Sequence, residues 1–446
     1  MKNTTPPRPH KQAAQKSAHR SLKQNTLWMM SGNAYYAACQ WLVLVVIARL
    51  GGAEDVGTFT LALALTAPVM SFCALGMRTI LASDVNHDRD LIAYLTTKLA
   101  AATTGLLVCF GIALWYGTPS CWTIFAIAVA KTIESFSDMC YGYAQQAQQM
   151  NRIAISLIMR GTFSTALLAL IYAISQSLTF ASWAYAASWL VILLVYDRHS
   201  VHEVFRTIDK KAMVAAKGIL LIGAPLGITA LMTNLGVNIP RYVLENGFGP
   251  KELGIFSSMA YFIAIGNIPV MALGNALVPV LANYHVKGET RIFKRMVLKA
   301  LGGIFIIGLC GIAASVFIGE FVLNLVYGPV FAERADILPL IAIAAAIGYL
   351  GNILGYAVSS AKIFVAQAPA QILVTLISLA GSLLFIPHYG LTGAAYVLIL
   401  NSVAICVAFL SICLFYQKKK RPKPLTPSDE FEQERLRQER CQVQIE

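Results

Sequence analysis

The chain has 446 residues, of which 57% are hydrophobic and only 13% charged, and its mean hydropathy is +0.63. A soluble domain carries about a quarter charged residues, so these proportions exclude a soluble globular protein and place the chain in a bilayer. The net charge of +13 reflects where the basic residues fall along a membrane protein, and nucleic acid is not an expected partner.

Residues 1–23 hold six Lys or Arg in a polar stretch that reads as a disordered basic tail. The apolar run that follows is too long for a cleavable signal peptide and reads as a first transmembrane helix. Runs of about 20 apolar residues, each able to cross roughly 30 Å of hydrocarbon as a helix, then recur to residue 416. Twelve spans are expected, with limits near 26–49, 56–77, 91–116, 121–146, 153–175, 178–196, 217–245, 253–283, 296–326, 335–360, 366–387 and 391–416. Turn chemistry separates them: "YGTPS" at Tyr116 to Ser120, "YGPVF" at Tyr327 to Phe331 and "PHYGLTG" at Pro387 to Gly393.

Basic residues gather after even-numbered spans, in Asp197 to Lys217 and His285 to Lys299, whereas odd-numbered linkers carry few besides Arg49, Lys251 and Arg334. The even-numbered linkers and both termini are therefore expected in the cytoplasm. The C-terminal tail, 417–446, is charged, with Thr426, Pro427 and Asp429 placed to start a short solvated helix.

The outer end of span 1 carries "GGAEDVGTF", Gly51 to Phe59, and the outer end of span 7 carries "FGPKELGIF", Phe248 to Phe256. From Gly52 to Gly249 the offset is 197 residues, and at that offset Asp55 meets Glu252, Val56 meets Leu253, Gly57 meets Gly254 and Phe59 meets Phe256. The repeat divides the chain into an N-lobe of helices 1–6 (24–197), an inter-lobe linker (198–216) and a C-lobe of helices 7–12 (217–416). Both lobes begin on the same side, which is the parallel-repeat plan of a rocking transporter.

Within the spans each charge is a functional candidate, because one near the bilayer centre costs about 2.5 to 3.5 kcal/mol. Span 4 aligns Lys131, Glu134, Asp138, Tyr141 and Gln145 on one helix face. Its simpler reading is a Lys131–Glu134 pair that only packs helices. Span 7 aligns Asn234, Asn238, Arg241 and Glu245, with Pro225 and Pro240 able to kink or open the helix. Span 5 offers Arg152, Ser156, Arg160 and Ser164, and span 1 offers Asn33, Tyr36 and Gln40, with Arg49 at its outer end either as an interfacial anchor or as a gate or pyrophosphate contact. Nine cysteines and seven histidines show no ligand spacing, so no metal site is expected. No nucleotide-binding motif or nucleophile constellation is present in the sequence, so the chain does not read as an enzyme and no cofactor is expected.

"ARLGGAEDVGTFTLALA" followed by "LGMR" (Leu75 to Arg78), with "LGIFSSMAYFIAIGNIPVMALGNALVPVLANYHVKGE" (Leu253 to Glu289) and "GLTGAAYV" (Gly390 to Val397), resembles the oligosaccharide flippases of the multidrug/oligosaccharidyl-lipid/polysaccharide (MOP) exporter superfamily. The resemblance covers residues 24 to 416. It implies an all-α integral membrane protein of the MOP type in the bacterial inner membrane. Such a protein moves an undecaprenyl-pyrophosphate-linked oligosaccharide from the cytoplasmic to the periplasmic leaflet for surface polysaccharide or O-antigen synthesis. Its implied partners are the lipid bilayer, that glycan and a polysaccharide polymerase complex.

On this reading Asn33, Gln40, Arg49, Lys131, Arg160, Asn234, Asn238 and Arg241 line the substrate cavity, where arginine forks take phosphate oxygens and amides take sugar hydroxyls. Glu134 and Asp138 are the candidates for a coupling H+ or Na+. Each negative charge moved outward gains about 2.3 kcal/mol per 100 mV, so ATP is not required. The alternatives are an organic-cation exporter of the same superfamily, a nontransporting scaffold, or a lipid II flippase, a branch that usually carries two further C-terminal helices.

Overall fold

The computed structural model describes residues 22–83, 91–117, 120–200, 212–361, 363 and 366–419. The expected basic tail before Leu22, the middle of the inter-lobe linker and the expected C-terminal helix at Thr426 lie outside the described residues. All regular structure among the described residues is helical: α1 Leu22–Ala74, α2 Met77–Ser83, α3 Leu91–Tyr116, α4 Ser120–Gln146, α5 Met150–Ser175, α6 Leu178–Val195, α7 Ala212–Val286, α8 Thr290–Phe317, α9 Gly319–Val326, α10 Pro329–Ala332, α11 Leu338–Ser360 and α12 Gln367–Lys419, with short 3-10 turns at Asp197–Ser200 and Ala335–Ile337.

Three boundaries differ from the sequence reading. Helix α1 already begins at Leu22 and α7 at Ala212, and α12 runs on to Lys419, inside the stretches expected to be tail, linker and C-terminal tail.

Among the described residues, eight helical stretches are long and apolar enough to cross a membrane, including 24–82, 218–286 and 369–414. At 1.5 Å per residue these three exceed one crossing. Inside each, one glycine leaves helical geometry near mid-length, Gly52 (φ 82°) in α1, Gly249 (φ 83°) in α7 and Gly390 (φ 55°) in α12; the first stretch also contains the corner at Leu75–Gly76 that separates α1 from α2. Positive φ strains any residue with a Cβ, so the two repeat copies spend their glycine on the same backbone corner. The turn expected over Pro387 to Gly393 is likewise a one-residue break inside α12. Pro225 and Pro240 keep helical backbone dihedrals within α7, whose only non-helical residue is Gly249.

The most extensive helix packing is that of α1 on α7. The largest apolar core spans both lobes near these corners: Val43, Ile47, Phe59, Tyr172 and Trp189 pack in one cluster with Leu244, Phe256, Met259, Tyr327, Phe331 and Ile386. At the other end the clusters are smaller, and one of them still bridges the lobes, with Leu75, Met77, Tyr94 and Met139 packed with Ile219 of α7. Tyr141, Ala144, Ile153 and Leu157 form a cluster within the N-lobe, while Leu281, Phe293, Val297, Leu354 and Ala357 form one within the C-lobe. Burial of apolar surface therefore joins the lobes firmly at the end bearing the repeat, and less so at the end bearing the linker.

Candidate substrate site

The two repeat copies face each other. A Cβ on Gly57 would fall on the Pro250 carbonyl oxygen, and a Cβ on Gly254 on the Ala53 carbonyl oxygen. Each acid is tied to its own lobe: Asp55 accepts a hydrogen bond from the Tyr172 hydroxyl, and Glu252 pairs with Arg334 at 3.5 Å.

Arg49, at the end of the first copy's approach, donates across the lobes to the last carbonyls of α9, to Val326 at 3.0 Å, Asn324 at 2.9 Å and also Leu325. Those carbonyls carry the negative end of a helix dipole, so a guanidinium is suited to them. Trp41 Nε1 adds a cross-lobe bond to the Tyr327 hydroxyl at 2.8 Å, and the Tyr116 hydroxyl donates to Glu245 at 3.4 Å.

The polar face of α4 is continuous, as its spacing predicts, and it sits in two layers. Behind it, Arg160 on α5 is sealed: it pairs with Asp197 at 3.3 Å, and both side chains are 1% exposed. Ser156 donates to Asp197 at 2.5 Å and lies 2.7 Å from the Tyr141 hydroxyl. The Arg160 guanidinium sits 5.5 Å from the Tyr141 ring centroid and 5.1 Å from that of Trp189, within cation–π range.

In front, the pairs are partly open. Lys131 bonds Glu134 at 2.8 Å with side chains 26% and 24% exposed, and Arg78 meets Asp138 at 3.5 Å with side chains 34% and 42% exposed. Arg78 also donates to Gln145 at 3.3 Å. Glu134 faces the Tyr36 hydroxyl of α1, and Gln40 accepts from Tyr185 at 2.9 Å. Asn33 is exposed and donates back to the Met29 carbonyl at 2.7 Å.

The C-lobe face is different. Arg241 Nη1 donates to Asn238 at 2.7 Å, Asn238 donates to the Asn234 carbonyl at 2.9 Å, and Asn234 reaches Ser71 in the other lobe at 3.1 Å. No carboxylate pairs with Arg241 among the described residues, and its Nε is buried without a hydrogen-bond partner. A guanidinium has five donors, and most of this one's remain uncommitted.

The structure thus gathers Lys131, Glu134, Asp138 and Arg160 around one N-lobe cluster and aligns Asn234, Asn238 and Arg241 in the C-lobe. Arg49 stands apart from both, at the repeat. Three residues of the cluster were not in the sequence-derived set. Arg78 lies far from α4 in sequence, although it directly follows a corner where Leu75 and Gly76 both have positive φ. Asp197 opens a charged run that reads as solvated linker. Lys98, 1% exposed, is a lone cation in an apolar span, the signal that should have marked it. Among the described residues, no group of three or more His, Cys, Asp or Glu could hold a metal ion.

Long apolar helices, a pseudo-repeated pair of corners and charged faces inside both lobes define a multi-pass membrane protein of transporter architecture. Residues 22–285 match the family model for polysaccharide biosynthesis proteins, and the chain belongs to that family. It is 28% identical over 399 residues, 89% of this chain and 99% of the relative, to the capsular polysaccharide biosynthesis protein CapF of Staphylococcus aureus. Its fold is similar to that of the lipid II flippase MurJ in an inward closed conformation (TM-score 0.71, 10% identity, 88% of this chain and 87% of that one). It is also similar to an inward-facing multidrug resistance MATE family transporter of the MOP superfamily (TM-score 0.65, 17% identity, 92% and 98%). The resemblance to MOP-superfamily polysaccharide flippases drawn from the repeat motifs agrees with these findings.

Proposed function

We propose that the protein is a flippase that carries an undecaprenyl-pyrophosphate-linked oligosaccharide from the cytoplasmic to the periplasmic leaflet of a bacterial inner membrane, by alternating access of two six-helix lobes. On this reading the chain crosses twelve times with both termini in the cytoplasm, α1, α7 and α12 each crossing twice about their glycine corners. The shared core, the interlocked repeat and the Arg49 latch hold the periplasmic end shut, so the head group enters from the cytoplasmic side while the polyprenyl tail stays in lipid.

The observation that carries the assignment is Arg241, an enclosed guanidinium with no carboxylate partner among the described residues. An uncompensated cation in a low-dielectric site calls for an anion, and a guanidinium fork fits phosphate oxygens. Asn234, Asn238 and Gln40 supply amides for sugar hydroxyls. An exporter of organic cations needs the reverse, carboxylates free to meet the cargo, whereas Glu134 and Asp138 each hold a cation already. If a H+ or Na+ gradient drives transport, these two carboxylates are its entry point.

The test is export of surface glycan in cells lacking the gene. The parental protein restores export, and Arg241→Ala, present in the membrane at the parental level, leaves the lipid-linked glycan in the inner leaflet. Export by Arg241→Ala at the parental rate contradicts the assignment.

A further inference from the structure

We infer that Asp138 is an internal counter-anion, which the anionic head group must displace from Arg78 on binding and which drives the head group off again on release. The inference rests on the head-group reading above.

The two arginine–carboxylate pairs of the N-lobe differ in build. Arg160 and Asp197 are both 1% exposed, locked by Ser156 and flanked by two rings. Arg78 and Asp138 meet through one nitrogen and one oxygen at 3.5 Å, with a third or more of each side chain open. Neither pair is a paired fork, the strong form of this interaction, and the Arg78 contact is the longer of the two and open to solvent, where a charged ligand can compete for it, so it is the exchangeable one. The guanidinium is meanwhile held in place by Gln145 at 3.3 Å and by the Tyr141 ring at 5.5 Å, so it remains presented when Asp138 leaves.

The displaced carboxylate has somewhere to lean. Lys98 is 1% exposed, has no ion-pair partner among the described residues, and lies within electrostatic reach of Asp138, as do Glu134 and Arg160. Lys98 therefore keeps Asp138 compensated while Arg78 serves the phosphate.

The exchange is mechanically linked to the lobes. Arg78 follows the corner at Leu75–Gly76, and that corner is wedged on the C-lobe: a Cβ on Gly223 of α7 would lie 2.8 Å from the Leu75 carbonyl oxygen, and one on Gly76 would lie 2.8 Å from Leu226 Cδ1. On the other side, α4 admits the Arg78 backbone at Gly142, where a Cβ would lie 3.0 Å from the Arg78 carbonyl oxygen. Rocking of α7 thus shifts Arg78 against the Asp138 of α4, and changes which anion holds it.

The experiment is binding of undecaprenyl pyrophosphate to the full chain in nanodiscs, with steady-state flipping measured alongside. Asp138→Asn and Asp138→Ser bind at least about fivefold more tightly than the parental protein, the low end of a typical coupling between sites. Both lower KM and kcat together, while Asp138→Glu behaves as the parent; a residue that only packs helices would raise KM or leave it unchanged. In a double-mutant cycle, Lys98→Gln weakens binding in the parental background and not beside Asp138→Asn. Equal or weaker binding by the neutral variants, with Arg241→Ala still impaired, overturns the counter-anion role alone. Unchanged binding in Arg78→Ala and Arg241→Ala overturns the head-group reading itself. Equal weakening by Lys98→Gln in both backgrounds overturns the part given to Lys98.

Discussion

Placing a single methyl group at the repeat should open the periplasmic end. In Gly57→Ala the new Cβ falls on the Pro250 carbonyl oxygen, and in Gly254→Ala on that of Ala53. Both obstacles are backbone, so no rotamer change relieves them. Overpacking of this kind costs about 1–3 kcal/mol, and the cost applies only while the two corners touch. The equilibrium between closed and open outer ends therefore shifts roughly 5- to 150-fold toward open. Arg49→Ala acts in the same direction by removing its bonds to the α9 carbonyls; each is worth at most about 1.5–3 kcal/mol as a charged hydrogen bond, and less here because Arg49 is exposed. The assay is pulsed electron–electron distance measurement between nitroxides at positions 54 and 251, both exposed in the two copies, in a background without native cysteines. Longer distances should appear in each Ala variant. An unchanged distribution in the Gly57→Ala, Gly254→Ala double variant would refute the idea that the repeat is the outer seal.

Reporter fusions after Gln417 and within Ser200 to Lys211 should be active only with a cytoplasmic reporter; a periplasmic signal at either overturns the topology. Arg241→Lys should restore glycan export only partly, because an ammonium lacks the planar fork. Arg160→Ala should also abolish export, but by another route. It strands Asp197 in the interior at a cost of about 3–5 kcal/mol, so its thermal unfolding midpoint should fall while that of Arg241→Ala holds; equal midpoints would show that Arg160 is not structural. In proteoliposomes, Glu134→Gln combined with Asp138→Asn should remove any dependence of flipping on an imposed proton or sodium gradient, and a retained dependence would move coupling elsewhere.

The parts of this molecule that local chemistry dictates were legible in its sequence. The Gly52 and Gly249 corners need positive φ, a demand that only certain residues meet cheaply, and so it is written in composition. The Lys131–Glu134 pair follows from helix spacing alone. Partners brought together by packing were not legible. Arg78 lies 60 residues from Asp138, and Asp197 lies 37 from Arg160, so neither pair has a periodic signature. Within α7 the backbone stays in the helical region at Pro225 and Pro240 and leaves it at Gly249, where the missing Cβ removes the steric barrier.

The central claim, that this chain moves a lipid-linked glycan between leaflets, is tested most directly by reconstitution. Purified protein is placed in liposomes with a fluorescent undecaprenyl-pyrophosphate-linked oligosaccharide, and the fraction accessible to a membrane-impermeant quencher is followed in time. The account predicts accelerated equilibration by the parental protein and baseline rates with Arg241→Ala. Baseline rates for the parental protein, in vesicles where it exports an organic cation, would contradict it.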